Sequence, residues 1–115
     1  MTIRLTRDAD ADIADILRYT RDEFGLPQTA RYRDFIRRAF GMIDDDPMRP
    51  GSRVLEQFGP HVRMFHLGSA AGRRSGAAHI VVYHIGEQSG QGWRITVLRI
   101  LHERMEPDRH LSDLP

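Results

Sequence analysis

The chain has 115 residues, 40% hydrophobic and 29% charged, with a formal net charge of +1. That size and balance predict one domain, residues 1–115, with one modest core and no global attraction to nucleic acid. The absence of cysteine excludes disulfides, thiol catalysis and thiolate metal sites, and no run of about 18 apolar residues offers a membrane span. The N-terminus turns acidic without an apolar stretch, so no secretory signal is expected and the location implied is cytoplasmic.

Ile3 to Thr6 reads as a short strand, after which Thr6 or Asp8 can cap a helix. In that helix Ala9, Ile13, Ile16, Leu17, Thr20 and Phe24 fall on one face, and Gly25 suits its end. Pro27 is tolerated in the first turn of a second helix, Gln28 to Asp46, with Tyr32, Phe35, Ile36, Ala39, Met42 and Ile43 on one side. So short a linker permits only an antiparallel helical hairpin. Asp44, Asp45 and Asp46 oppose the helix dipole and, with Pro47, read as a stop.

From Pro50 the periodicity changes. His61–Leu67, Ala78–Ile85 and Trp93–Leu101 are rich in β-branched and aromatic residues and read as three strands. The Gly-rich stretches between them, Gly68–Ala77 and Gly86–Gly92, read as hairpin loops, giving an antiparallel meander. Val81, Val82 and Tyr83 are apolar on both faces, which suits a central strand. Pro107 onward reads as a short terminal turn or helix. The fold class is α+β, an N-terminal strand and a helical hairpin packed on an antiparallel sheet.

Asp8–Ile13 begins like a calcium loop but lacks the Gly at its sixth position and the Glu at its twelfth. The six histidines include no pair at helical i, i+4 spacing, so neither metal nor cofactor is expected. Gly68–Ala77 lacks phosphate-loop spacing, and its Arg73 and Arg74 read as solvated. All 17 basic residues are arginine, which excludes lysine-dependent chemistry and supplies planar donor forks instead.

Several of those cations gather in "RILHERMEPDRHL", Arg99 to Leu111. Two readings compete. In one, His102 transfers protons and Arg63 and Arg99 supply charge if their strands are neighbours, with Tyr83 or Glu56 assisting, as in a metal-free ribonuclease. In the other, the cations project into water or pair with Glu103, Glu106 and Asp108, and spacing alone favours this second reading. Glu103 beside His102 also adds negative charge where a phosphate would sit.

The ending "RITVLRILHERMEPDRHL" resembles the C-terminal signature of the ParE family of bacterial toxins. Ile95, Val97, Arg99, Leu101, His102, Arg104, Met105, His110 and Leu111 carry the likeness. "IRLTRDADADIADILRYTRDEFG", "QTARYRDFIRRAFGMIDDDP", "HVRMFHLG" and "HIVVYHI" are similar to that family's earlier strands and helices, so the resemblance spans nearly the whole chain. The loop Gly68–Ala77 is longer than usual for the family, and no role is assigned to it.

The resemblance implies the helical hairpin on an antiparallel sheet of the RelE/ParE superfamily. It implies a protein that poisons DNA gyrase without being an enzyme. It further implies a ParD-like antitoxin that neutralises it in a toxin–antitoxin hetero-oligomer, with no direct sequence-specific nucleic-acid binding. The alternative is a RelE-like, ribosome-dependent messenger RNA endoribonuclease using His102, Arg99, Arg63, Glu56 and Tyr83. Expected partner-binding residues are Arg99, His102, Arg104 and Arg109, with Tyr19, Phe24 and Phe40 offering a second apolar stripe to a partner helix. Replacing Arg99 or His102 by Ala is expected to leave the fold intact but to alter toxicity or antitoxin affinity.

Overall fold

The computed structural model describes residues 3–71, 78–90 and 92–105. Strand β1 (Ile3–Leu5) leads into helix α1 (Arg7–Phe24) and helix α2 (Leu26–Asp45). Then come β2 (Ser52–Val54), a 3₁₀ turn at Glu56–Phe58, β3 (Val62–His66), a short helix α3 (Leu67–Ala71), β4 (His79–Ser89) and β5 (Gly92–His102).

The hairpin forms for local reasons. Of the two candidate caps, Thr6 takes the role, its Oγ1 accepting the Ala9 N–H at 3.0 Å, while Asp8 and Asp10 complement the dipole from the first turn. Gly25, at φ 87°, both ends α1 and precedes α2, so the linker is one residue. An L-side chain there meets left-handed strain. Ile16 and Thr20 of α1 are buried, as are Tyr32, Ile36, Ala39 and Ile43 of α2. Phe24, the last residue of α1, departs from the expected inward face and is 65% exposed.

The acidic end of α2 is balanced by residues beyond it. Arg49 Nη1 donates to the Met42 carbonyl at 3.1 Å, and Asp46 Oδ1 accepts the Met48 N–H at 3.2 Å. Pro47 is buried, and its carbonyl accepts the Tyr83 hydroxyl at 2.6 Å.

The sheet order is β1-β5-β4-β3-β2. Strands β3, β4 and β5 form the expected antiparallel meander, with β4 central and Val81, Val82 and Tyr83 fully buried. Two features depart from the sequence reading. Strand β1 pairs in parallel with β5, so the sheet is mixed, and β2 adds an edge beside β3. Gly86–Gly92 is mostly strand rather than loop, with irregular pairing between Ile85 and Gln88. A Cβ on Gly86 would stand 3.3 Å from Arg94 Cβ and from its carbonyl oxygen, so this glycine serves a bulge. At the other end, Leu67–Ala71 is helical, while residues 72–77 and 106–115 lie outside the described residues, with Arg73, Arg74, Arg109, His110, Leu111 and the expected terminal turn among them.

Both faces of the sheet are covered. Phe65, Val81, Tyr83, Ile95, Val97 and Ile100 meet the helices. Leu55, Val62, Ile80, Val82, Leu98 and Leu101 form a second cluster with Phe58 and Met64. Burial on both faces explains why the central strands read as continuous apolar runs.

Where β1 stops, α1 seals the edge of β5. Thr6 Oγ1 donates to the Leu98 carbonyl at 2.7 Å, and the Ile100 N–H donates to Asp12 Oδ2 at 2.9 Å. Asp12 also takes Arg99 in a fork, Nε at 2.8 Å and Nη2 at 2.9 Å. One carboxylate thus replaces the missing strand and neutralises the arginine beside it.

Candidate functional site

At the end of the sheet that carries the start of β4 and the end of β5, α1 and α2 leave a groove of about 600 Å³. Ile16 and Thr20 of α1 line it, with Tyr19 and Phe24 beside them, Tyr32 and His79 beneath, and His102 and Met105 from the far side. Tyr19 is 61% exposed, Phe24 65% and Met105 45%. The rings of Tyr19 and Phe24 pack edge to face at 6.4 Å. Large apolar side chains exposed beside an apolar cavity suit a surface that could take a partner.

The floor is polar and ordered. The Ala78 N–H donates to Tyr32 Oη at 3.2 Å, and the hydroxyl shares a hydrogen bond with His79 Nδ1 at 2.5 Å. Burial pushes the Tyr32 phenol up, so it keeps its proton. Burial, aided by His102, pulls His79 down to about 4, so it is neutral near pH 7. His102 lies directly across the ladder from His79, with ring centroids 5.4 Å apart and planes at 82°. Its Nδ1 accepts the Arg104 N–H at 3.1 Å. His66 Nδ1 accepts the Gly68 N–H at 2.8 Å, and its Nε2 meets Glu103 at 2.7 Å. That bond holds the Glu103 carboxyl below its usual range. Glu103 is hydrogen-bonded to His66 and its carboxylate also acts on His102 through space, in keeping with the negative charge expected beside that imidazole.

The pairing of His79 with His102 depends on a bulge. Tyr83 faces Val97 but Val82 faces Arg99, leaving Leu98 as an extra residue on β5. Without it, His79 would face Leu101.

The residues proposed for phosphate-ester chemistry do not assemble as expected. Arg63 and Arg99 are not on neighbouring strands, because β4 runs between β3 and β5. Arg63 bonds Ser52, with Nη2 2.8 Å from its Oγ, and faces Tyr83 across the ladder. Tyr83 is fully buried, its hydroxyl given to Pro47, and burial raises its pKa. Tyr83 stands four positions along β4 from His79, about 13 Å at the usual strand rise, whereas concerted proton transfer needs hydrogen-bond reach. Glu56 is exposed on the 3₁₀ turn. Arg99 is held by Asp12, which also raises the arginine's pKa.

Of the expected partner-binding residues, the groove brings together Tyr19, Phe24 and His102. Arg104 is exposed just past β5. Phe40 instead packs against the main core, and Arg109 lies outside the described residues. Sequence reasoning missed Tyr32 and His79 as groove residues. Tyr32 looked like core spacing and His79 like an ordinary strand residue, and only the cross-strand register joins them. Among the described residues no group of three or more His, Asp or Glu is placed to hold a metal ion.

A family model described as "ParE toxin of type II toxin-antitoxin system, parDE" matches residues 3–107. The chain is also similar to a protein named Toxin ParE1 from Caulobacter vibrioides, 29% identical over 109 residues, covering 95% of this chain and 96% of that protein.

Proposed function

We propose, from the premise that this chain belongs to the ParE toxin family of type II toxin–antitoxin systems, that it arrests growth by poisoning DNA gyrase. On this reading it works by binding rather than by catalysis, in the cytoplasm, as one domain. Membership in the family carries an antitoxin partner; the partner proposed is ParD-like, and it neutralises the toxin by occupying the groove beside Tyr19, Phe24 and His102.

The observation that carries this reading is the family match over residues 3–107. The groove supports its second half. An amphipathic partner helix laid there would cover the exposed rings of Tyr19 and Phe24 and the Met105 side chain. Full burial of one large apolar side chain contributes roughly 1.5–3 kcal/mol, so even partial cover of three matters to affinity. A flexible antitoxin segment folding on contact would use that energy to offset its ordering entropy. Arg104 and Arg109 are proposed to meet a partner as cations.

The test is induction of the toxin without its antitoxin in growing cells. Double-strand breaks and lost supercoiling, with intact messenger RNA, are the expected outcome. Cleaved messengers over intact, normally supercoiled DNA would overturn the reading in favour of a ribonuclease.

A further inference from the structure

We propose that Tyr32 is a positioning residue of the groove, its hydroxyl fixing the two strand ends that form the floor. This deepens the docking reading above and rests on it.

Tyr32 is buried at core spacing on α2, where a ring alone would fill the space. Its ring packs edge to face on Phe35 at 6.0 Å. The hydroxyl does something else. Its oxygen accepts the Ala78 N–H at 3.2 Å and shares a hydrogen bond with His79 Nδ1 at 2.5 Å. Ala78 is the residue just before β4, and its carbonyl accepts the Glu103 N–H at 2.8 Å. Glu103 directly follows His102, the last residue of β5. One hydroxyl therefore ties α2 to the start of β4 and, through Ala78, to the end of β5.

That tie acts where the groove needs a fixed shape. His79 and His102 are half-buried, and both line the floor. The His79 ring is held edge to face between two others, Tyr32 at 5.6 Å and His102 at 5.4 Å. A side chain already held in place loses little rotamer freedom when a partner covers it. Without the hydroxyl, the His79 ring is free to turn and the Ala78 N–H loses its acceptor. A partner would then have to order both, and its affinity would fall. Tyr32 itself is 5% exposed, so it acts through these neighbours rather than by its own contact area.

The experiment compares Tyr32→Phe with Tyr83→Phe. Each removes one buried hydroxyl and keeps the ring, but Tyr83 gives its hydroxyl to the Pro47 carbonyl and does not line the groove. Full-length toxin is titrated with full-length antitoxin by calorimetry, and thermal melts give the stability of each variant. The nuclear Overhauser cross-peak between the His79 and His102 rings is measured in the free toxin. We expect Tyr32→Phe to weaken antitoxin binding roughly fivefold, as freeing one or two side chains should, and to weaken that cross-peak. Tyr83→Phe should leave both near wild type even where it lowers Tm as much. Tyr32→Phe affinity within about twofold of wild type would overturn the proposal. Equal losses in the two variants would overturn it as well, because they mark a general effect of stability. So would lost affinity with an unchanged cross-peak, which marks direct contact between the hydroxyl and the partner. Tyr19→Ala with Phe24→Ser is the separate control. If that pair leaves affinity unchanged, the docking reading itself fails; if that pair weakens binding and Tyr32→Phe does not, the positioning role falls alone.

Discussion

Removing the Asp12 carboxylate should damage the fold more than removing any of the cations once read as functional. Asp12 accepts three bonds, two from Arg99 and one from the Ile100 N–H. Its side chain is 15% exposed and that of Arg99 is 22% exposed. Asp12→Ala leaves a half-buried guanidinium without its carboxylate and a strand-edge N–H without an acceptor. Breaking a fully buried pair by losing one partner costs about 3–5 kcal/mol. Residual solvent around Arg99 lowers that here to about 2–4 kcal/mol. For a domain near 100 residues each kcal/mol moves Tm by roughly 4–8 °C, so the melting point should fall by about 10 °C or more. Asp12→Asn keeps an acceptor and should lose about half as much. Arg99→Ala should cost less than Asp12→Ala, because the Ile100 N–H still holds the carboxylate. Thermal melts followed by far-ultraviolet circular dichroism, with urea titrations for ΔG, make the measurement. An Asp12→Ala melting point within about 2 °C of wild type would refute the reasoning. Arg99→Ala should itself lower Tm measurably while the chain still folds. Its effect on toxicity can be interpreted only beside its stability.

Three further outcomes follow from the same geometry. His79 titrates at about 4 in the folded chain against an ordinary value of 6.5, so below pH 6.5 the unfolded state binds the extra proton and stability falls as the pH drops toward 4. The full shift corresponds to about 3 kcal/mol, and partial solvent access reduces it to about 1–2 kcal/mol; urea titrations from pH 7 to pH 4 should lose that increment, and His79→Gln should lose less. Tyr83→Phe removes the bond to the Pro47 carbonyl and should cost about 1–2 kcal/mol while leaving toxicity intact; abolished toxicity in a folded variant would favour the catalytic reading. Phe24→Asp at a position 65% exposed should leave Tm nearly unchanged and weaken antitoxin binding at least tenfold, measured by titration of the purified proteins.

Local chemistry made the hairpin legible. The apolar spacing from Ala9 to Ile43 and the single residue Gly25 determine two antiparallel helices without reference to the rest of the chain. The apolar run Val81, Val82, Tyr83 likewise announced a central strand buried on both faces. What stayed hidden depends on distant residues. Ile3–Leu5 pairs in parallel with Ile95–Val97, far away in sequence. Ser52–Val54 is too short to show a period. Gly86 looked like a loop residue because its function, a close approach to Arg94, exists only in the paired sheet. The groove was half visible. Tyr19 and Phe24 could be named as a spare apolar stripe, but His79 needed the bulge at Leu98 to face His102. A one-residue slip would have changed the floor of the site, and no sequence pattern marks that slip.

The central claim is that this ParE-family chain acts on gyrase by binding. A supercoiling assay with purified DNA gyrase, ATP and relaxed plasmid tests it most directly. Added toxin should suppress supercoiling and trap cleaved plasmid in a dose-dependent way, and antitoxin mixed with the toxin beforehand should restore activity. Full supercoiling and no cleaved plasmid at toxin in large excess over gyrase would contradict the account.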